Sequence, residues 1–600
     1  MLSELADYAR DHGLSAQPGY KLKNNLKAYI VLSADGTFLG VEIRVKDARP
    51  VYAPDIGSAA NGTRFCNPLV EKAKIPLRMV EDESKDKNIP TKFEFFLSML
   101  DNGEKYEPSF HAITRALRSE DTRAEIVDSL KKNKIKGADV IGFKVDGIPA
   151  EEGKGCSIWW NEFRKRFSVA QEGVLPRCLI TGDLAPAMAT VPKVSGLRSV
   201  GGHTSGDAFL CFDKDAFQSY DLKQSANAPV SEEGMTAVNA ALTDLISKAP
   251  VFGGAKLVHW YAGNIPDDFD LIDDMMDGDW GDDGEAEEDV QEETDHTGEE
   301  RAALKNAKQM LESVDEGERP FELSARYYIM PLSGAGGRMM VRGWYEGSFG
   351  DLYKNIDLWF EDLRLINVNG KSFAKSPKLK ALCVRLLKPG GDPKKVFERM
   401  DSELSNLSLR LLDAIIKGNP LPDEVATRVL RYIRSAVLSS PSEEDEKKKT
   451  FSFQDETMAF QLLKAWLVRH QRQRGEKNIM GCDVNQSPRT VAYCCGQLMA
   501  VYSVIQAKAM PDVNVGINER YYAAASSTPA FVIGKLAQLS QHHLSKLDDG
   551  LSIYYEKMLG DIYTQIGQEH IPTSLNQEQQ TEFALGYYQQ RAAIFSPTDK

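Results

Sequence analysis

Residues 178–231 read CLITGDLAPAMATVPKVSGLRSVGGHTSGDAFLCFDKDAFQSYDLKQSANAPVS. Gly196, Gly201, Gly202 and Gly206 cut this stretch into short pieces. Two pieces, Cys178–Thr181 and Ala208–Phe212, are apolar runs bounded by turn residues, the pattern of short buried strands. Aromatics (Phe217, Tyr220) and amides (Gln218, Gln224, Asn227) follow at close spacing, ending at Pro229. No nucleophile stands beside a base. Two readings stay open: a loop-rich junction where two domains meet, or a ligand pocket.

Upstream, Trp159, Trp160 and Phe163 recur at helical spacing and read as a core face. The adjoining Arg164-Lys165-Arg166 reads as solvated or as a phosphate contact. KGADVIGFKVDG, ending near Gly147, has strand character, and residues 91–130 look helical. Two strand-like runs flank Asp35-Gly36, a hairpin signal, and residues 1–12 form a short amphipathic helix. After the hairpin comes DIGSAANGTRFCNPLVEKAK. Gly57 and Gly62 permit close backbone approach to a partner. Asn61, Thr63, Arg64 and Asn67 offer hydrogen bonds there, and Lys72 and Lys74 add charge.

Downstream, a helix is expected over 232–247 and a strand over Leu257–Tyr261. Residues 264–300 are low-complexity and acidic, expected as a mobile insertion; a solvated linker is favoured over a nucleic-acid mimic guarding a basic groove and over a divalent-cation site, since the spacing does not fit an EF-hand loop. A helix resumes at 301–313. Arg326–Leu332 and Met339–Tyr345 flank SGAGG, another hairpin. From Asp351 onward the pattern is helical, with Leu404, Leu407, Leu411 and Ile415 on one face. A charged linker, SSPSEEDEKKKT, precedes an almost wholly helical 454–600. There Leu498, Tyr502, Ile505 and Ala509 make one stripe, and Leu551, Tyr554, Met558, Ile562 and Ile566 another. The fold class is α+β: a mixed, β-rich N-terminal and central region, then a C-terminal all-α bundle. The expected divisions are 1–150, 151–263, the insertion 264–300, 301–440 and 451–600.

The 600 residues are enough for about four domains. No run of 18 apolar residues occurs, so no membrane helix is expected. MLSELADYARDHG lacks the apolar core of a signal peptide. The eight Cys include no CxxC pair and read as buried thiols of a reduced, cytoplasmic protein. The formal charge is −14. Asp267–Glu300 alone carries 18 acids and no Lys or Arg, and without it the remainder is +4. Net charge therefore does not argue against a nucleic-acid partner.

Enzyme machinery is scarce. Gly370-Lys371-Ser372 imitates the end of a phosphate-binding loop, but Leu365 stands where its first Gly should be. HExxH is absent. His542-His543 point about 100° apart on a helix, a poor metal pair. His203 near Ser205 has no identifiable orienting acid. No catalytic residue, metal or cofactor is expected. Phosphate contact needs Lys or Arg along a path. The N-terminal region supplies Lys21, Lys23 and Lys27, then the Asn61–Lys74 stretch, and the C-terminal region supplies Arg469, Arg472, Arg474, Lys477, Arg489, Lys508, Arg520 and Lys535.

The order CLITG, PKVSG, a glycine turn, FDKDAFQSY and NAPVS resembles the large subunit of the type I-C CRISPR surveillance complex, Cascade. ARYYIMPLSGAGGRMMVRGWYEGSFGDL is similar to that family's following hairpin. NERYYAAASSTPAFVIGKLAQLSQHHLSKL and FALGYYQQR are similar to its C-terminal helices. Val191-Pro192 stands where the family has His-Pro, and Phe212-Asp213 where it has Phe-Asn.

The resemblance implies a non-catalytic, cytoplasmic antiviral-defence protein in a ribonucleoprotein complex. Its partners would be backbone, pre-crRNA-processing and small subunits, CRISPR RNA, double-stranded target DNA and a helicase–nuclease. Gly57, Asn61, Gly62, Thr63, Arg64 and Asn67 would then read the protospacer-adjacent motif (PAM), with Lys72 and Lys74 on phosphates. Arg469, Arg472, Arg474 and Arg520 would hold the displaced strand of the R-loop. The C-terminal helices would also be made separately, from an internal start at Met480, or at Met458 or Met499. The rival readings are a nucleotide-dependent enzyme using the Gly-rich hairpin and Lys371, and a structural scaffold.

Overall fold

The computed structural model describes residues 1–14, 18–23, 25–45, 51–57, 60, 62–80, 87–167, 175–188, 190–212, 214–217, 220, 222, 224–263, 265, 270–276, 325–388, 395–437, 454–511 and 516–596. The chain divides into two units. One comprises Met1–Arg198, Gly202–Ser247 and Gly334–Met339, the other Ser199–Gly201, Lys248–Ser333 and Met340–Lys600.

The first unit begins with α1 (Leu2–Asp11) and β1 (Tyr20–Lys23). The hairpin β2 (Leu26–Leu32) and β3 (Phe38–Ile43) turns at Asp35-Gly36, as its sequence predicts. Next come β4 (Val51–Pro54), which pairs with β1, and the short β5 (Glu71–Lys72). The helical run is three helices: α2 (Ile89–Gly103), α3 (Ser109–Arg118) and α4 (Glu120–Lys132). They form the crossover that lets β6 (Val140–Val145) return parallel to β2. β7 (Ile148–Pro149) and α5 (Cys156–Phe163) follow. The sheet order is β3-β2-β6-β5, with β7 also on β6, so β5 is an edge.

This sheet, α2, α3 and α5 share one core. Trp159 and Trp160 are fully buried within it, and Trp160 donates from Nε1 to the Gly19 carbonyl at 2.7 Å. The core therefore continues past the division expected at 150, as far as Phe163. The basic cluster after α5 lies against protein groups. Arg164 pairs with Glu232, Lys165 with Glu162, and Arg166 covers the Phe163 ring.

The stretch 178–231 is a correction to the expected strands. Cys178–Thr181 is a turn with Leu179 exposed, and Ala208–Phe212 forms no strand. Among the described residues only isolated bridges occur here: Arg177 with Leu184, Val194 with Asp207, and Ala208 with Arg338. Gly196 and Gly206 sit at φ +100° and +88°, which turns the chain before a ladder can extend. Polar groups hold it instead. Ser231 N–H and Ile180 N–H reach the Cys178 sulfur at 3.2 and 3.4 Å. α6 (Glu232–Lys248) follows.

The second unit opens with β8 (Val251–Phe252) and β9 (Ala255–Ala262), followed by α7 (Leu271–Met276). α7 corrects the expected mobile insertion. Leu271, Ile272, Met275 and Met276 are all fully buried. Four such side chains contribute roughly 1.5–3 kcal/mol each, enough to offset the cost of ordering six residues at about 1–2 kcal/mol each. The remaining expected insertion, 277–300, and the helix expected at 301–313 lie outside the described residues.

β10 (Arg326–Ala335) and β11 (Arg338–Val341) form the SGAGG hairpin, and β12 (Tyr345–Ser348) also pairs with β10. The order is β11-β10-β9-β8. Described helices follow: α8 (Phe349–Leu363), α9 (Leu379–Val384), α10 (Val396–Glu403), α11 (Ser405–Ile416), α12 (Asp423–Tyr432), α13 (Gln454–Gln473), α14 (Val491–Ala509), α15 (Ile517–Ala525), α16 (Pro529–Leu544), α17 (Asp549–Ile566) and α18 (Gln577–Phe595).

One core runs from Phe252 to Tyr588, so the hydrophobic packing does not divide near 440–450. α14 and α18 meet backbone to backbone. A Cβ on Gly586 would lie 2.2 Å from the Tyr493 carbonyl oxygen, and one on Gly496 2.0 Å from that of Phe583. On α17 the buried face is Tyr555, Leu559, Ile562 and Ile566, while Leu551 and Tyr554 are exposed. The expected stripe therefore holds only in the second half of that helix.

Candidate nucleic-acid interface

The polar segment after β4 is a loop clamped at both ends. Asp55 pairs with Lys23 at 2.5 Å and accepts Gly57 N–H at 2.7 Å. Asn67 Oδ1 accepts Ile56 N–H at 3.1 Å, and Asn67 N–H donates to Glu71 Oε2 at 2.8 Å. Lys92 Nζ reaches the Ala60 carbonyl at 2.9 Å. Asn67 is thus a loop staple, its carbonyl turned inward. Gly57 has φ +67° and open space where a Cβ would be. Between the clamps, Gly62, Thr63 and Arg64 are exposed, and Arg64 has no hydrogen bond or ion pair among the described residues. Asn61 lies outside the described residues.

The loop runs directly into the sheet edge. Lys72 pairs with Val140 across β5 and β6. Ala73 N–H and Lys74 N–H donate to the carbonyls of Asp139 and Gly137, both at 2.8 Å. That pairing brings Lys72 and Lys74 beside a run not singled out from the sequence, KKNKIK at 131–136. Only Ile135 of the run is buried; Lys131, Lys132, Lys134 and Lys136 are exposed. None of these four, nor Lys72, has a side-chain hydrogen bond or ion pair among the described residues. Asp139, the acid beside them, is taken. Burial works against its charge, but Lys27 at 2.7 Å and the Lys136 N–H hold its carboxyl below the ordinary range. A run of lysines after a helix end is a readable sequence signal. Its closeness to Lys72 depends on the β5–β6 ladder.

The C-terminal arginines named for the displaced strand behave differently. α13 is enclosed on nearly every side. Arg469 is 3% exposed and donates from Nε to Asp362 Oδ2 at 2.7 Å. Its Nη1 donates to the Ala414 and Asn419 carbonyls at 2.9 and 3.0 Å. Arg472 is half-exposed and shares the same carboxylate, Nη2 to Oδ1 at 2.8 Å. Arg474 lies between Glu476 and Glu578 at 2.6 and 2.5 Å, which hold it above the ordinary arginine range. A guanidinium whose donors point at protein carboxylates has few left for phosphate. Arg520 alone of the four is exposed with no side-chain partner among the described residues. Lys508 and Lys535 are also exposed, and Lys535 lies 5.2 Å over the Tyr521 ring.

A family model described as a CRISPR-associated protein (Cas_Csd1) matches residues 2–595. The chain belongs to this family. No curated protein matches it. The match spans nearly the whole chain, consistent with the type I-C large-subunit resemblance. It makes the chain a CRISPR-associated protein of an effector complex.

Elsewhere in this CRISPR-associated chain lie the His203–Ser205 pair and the Gly370–Lys371 turn. His203 Nδ1 lies 2.8 Å from Ser205 Oγ, but the nearby Asp207 carboxylate accepts the His203 backbone N–H rather than the ring. Gly370 (φ +68°) and Lys371 form the turn of a small bridge between Ile366 and Phe373. No helix opens there; α9 begins at Leu379. No described helix is long and apolar enough to cross a membrane.

Proposed function

We propose that this chain is the non-catalytic large subunit of a type I-C, CRISPR-RNA-guided surveillance complex in the cytoplasm. It inspects double-stranded DNA for the adjacent motif, promotes R-loop formation, helps hold the displaced strand and receives the helicase–nuclease. The observation that carries this reading is the unpartnered basic edge of the first unit, joined to the clamped loop that presents Thr63 and Arg64. Lysines without carboxylate partners suit phosphate contact, which positions a duplex without reading it. A free arginine on a fixed loop suits a base edge, where two parallel donors meet guanine. Guide pairing then reads the remaining sequence, the division of labour of RNA-guided effectors.

In the second unit the candidates for the displaced strand narrow to Arg520 with Lys508 and Lys535, supported by their exposure. A small subunit starting at Met480 would keep α14–α18 and lack α13. That start would remove the Thr457–Tyr588 hydroxyl contact of 2.9 Å and the Phe460–Tyr588 ring contact.

The test is duplex binding by the reconstituted guide-RNA complex, with and without this chain, on targets that carry or lack the motif. Affinity and motif dependence should both require the chain. Equal binding in its absence would assign recognition to another subunit.

A further inference from the structure

A cluster in the second unit has no part in the interface above. His259 lies on β9, and Asp270 caps the start of α7. The His259 Nδ1 faces the Leu257 carbonyl oxygen at 3.2 Å, an acceptor, so Nδ1 carries a proton. Nε2 then faces Asp270 Oδ2 at 2.8 Å and Asp273 Oδ1 at 3.7 Å. The other oxygen of Asp270 is occupied. It accepts the Tyr261 hydroxyl at 2.9 Å and the N–H groups of Ile272 and Asp273 at 3.0 and 3.2 Å. The outer atom of His259 and that of Asp270 are therefore held, while one ligand atom each from His259, Asp270 and Asp273 lies within 4.8 Å of the other two. Hydrogen bonds of this kind, made by the atoms that face away from the centre, fix the orientation of a metal-binding imidazole and its carboxylate.

Two acceptors do not sit 2.8 Å apart without a positive centre between them. A proton can fill that role, and so can a metal ion. Two ligand atoms each about 2.1 Å from a metal at a right angle are about 3 Å apart, close to the Nε2–Oδ2 separation. The local charge points the same way. Asp274, the next residue, gives Oδ1 to Lys378 at 3.1 Å, but its Oδ2 is buried with no hydrogen-bond partner. The segment thus carries more carboxylate than its protein partners satisfy.

We propose that His259, Asp270 and Asp273 bind one divalent transition-metal ion of the zinc or manganese class. One imidazole with two carboxylates suits those ions better than calcium or magnesium, which favour all-oxygen sites. Water completes the coordination. The ion ties α7 to β9.

The test uses the full chain, stripped with chelator and titrated calorimetrically with Zn²⁺ and, separately, Mn²⁺. One saturable equivalent should bind, and the thermal midpoint should rise with metal. Asp273→Asn should lower the affinity about tenfold or more. Asp273 also faces His259 Nε2 at 3.7 Å, so the metal-induced rise of each variant is read against its own metal-free midpoint, and that rise should be smaller for Asp273→Asn than for the native chain. Substituted Co²⁺ should give a visible absorption band that His259→Gln shifts or removes. Identical titrations for the native chain and Asp273→Asn would overturn the proposal and leave an imidazolium–carboxylate pair. A Co²⁺ spectrum indifferent to His259→Gln would overturn it equally, because it would place the ion on other carboxylates.

Discussion

The first unit leaves five lysines at the edge of a sheet with no side-chain partner among the described residues; the second closes three of its arginines around its own carboxylates. Lys72, Lys131, Lys132, Lys134 and Lys136 are exposed and unpaired among the described residues. Arg469, Arg472 and Arg474 are engaged by Asp362, Glu476 and Glu578. As sequence, the two sets look alike: several cations within a short span. The neighbours that the fold supplies separate them. An edge strand and a helix end face solvent, where a long cation stays hydrated. A helix enclosed on nearly every side forces its arginine to find a carboxylate, because an unpaired buried charge is too costly. Counting cations along a chain therefore overstates how many are available to DNA.

The sharpest way to break this contrast is Asp362→Ala. It strands Arg469 in the core, where burial already lowers its pKa against the pull of Asp362. A loss of about 3–5 kcal/mol is expected, read by denaturant unfolding. A loss under about 1 kcal/mol would mean that the pair is solvated and that the arginines are available after all.

Reversing Lys131, Lys132 and Lys134 to Glu together tests the other side. Duplex affinity of the assembled complex should fall about a hundredfold at about 0.1 M salt. The slope of log affinity against log salt should flatten by about 0.9 for each phosphate that is no longer neutralised. The thermal midpoint should hold, since these side chains have no partner among the described residues. An unchanged slope would remove the basic edge from the interface.

Arg64→Ala should cost about 1–3 kcal/mol of discrimination between targets with and without the motif, with little effect on the salt slope. A uniform loss on both targets would make Arg64 another phosphate contact.

The smallest effect concerns Glu582, which lies near Arg474 and accepts the Thr490 hydroxyl at 3.0 Å. Burial first, then Glu578 and Glu476, push its pKa up to about 7 against the pull of Thr490 and Arg474. The folded chain therefore holds this proton more tightly than the unfolded chain. The stability it contributes is full below about 4.5, the unfolded value, and is lost as pH rises to about 7. Glu582→Gln should raise the melting midpoint at about pH 8, by about 1–2 kcal/mol of stability, and leave it unchanged at about pH 4. An equal effect at both values would show that the carboxyl is not protonated in the fold.

Local patterns were legible from residues alone. Asp35-Gly36 specifies a two-strand turn whatever surrounds it. Leu404, Leu407, Leu411 and Ile415 recur at helical spacing and are all buried. The glycine-broken 178–231 stretch misled in one respect, because short apolar runs look like strands whether or not a partner strand is present. The Leu551–Ile566 stripe slipped on α17 because Tyr554 and Tyr555 are adjacent aromatics, and only packing chooses which faces inward.

Sequence by itself determined the fold class, the hairpins, the helices and, through motifs in order along the chain, the family. These rest on interactions between near neighbours, or on residue patterns that need no coordinates. Tertiary structure alone decided which charges are free. It set KKNKIK beside Lys72 through a ladder between residues about seventy positions apart, buried Arg469 against Asp362, and brought His259 to Asp270. A charge's availability depends on its distance to an opposite charge and to water, and those distances exist only once the chain has folded.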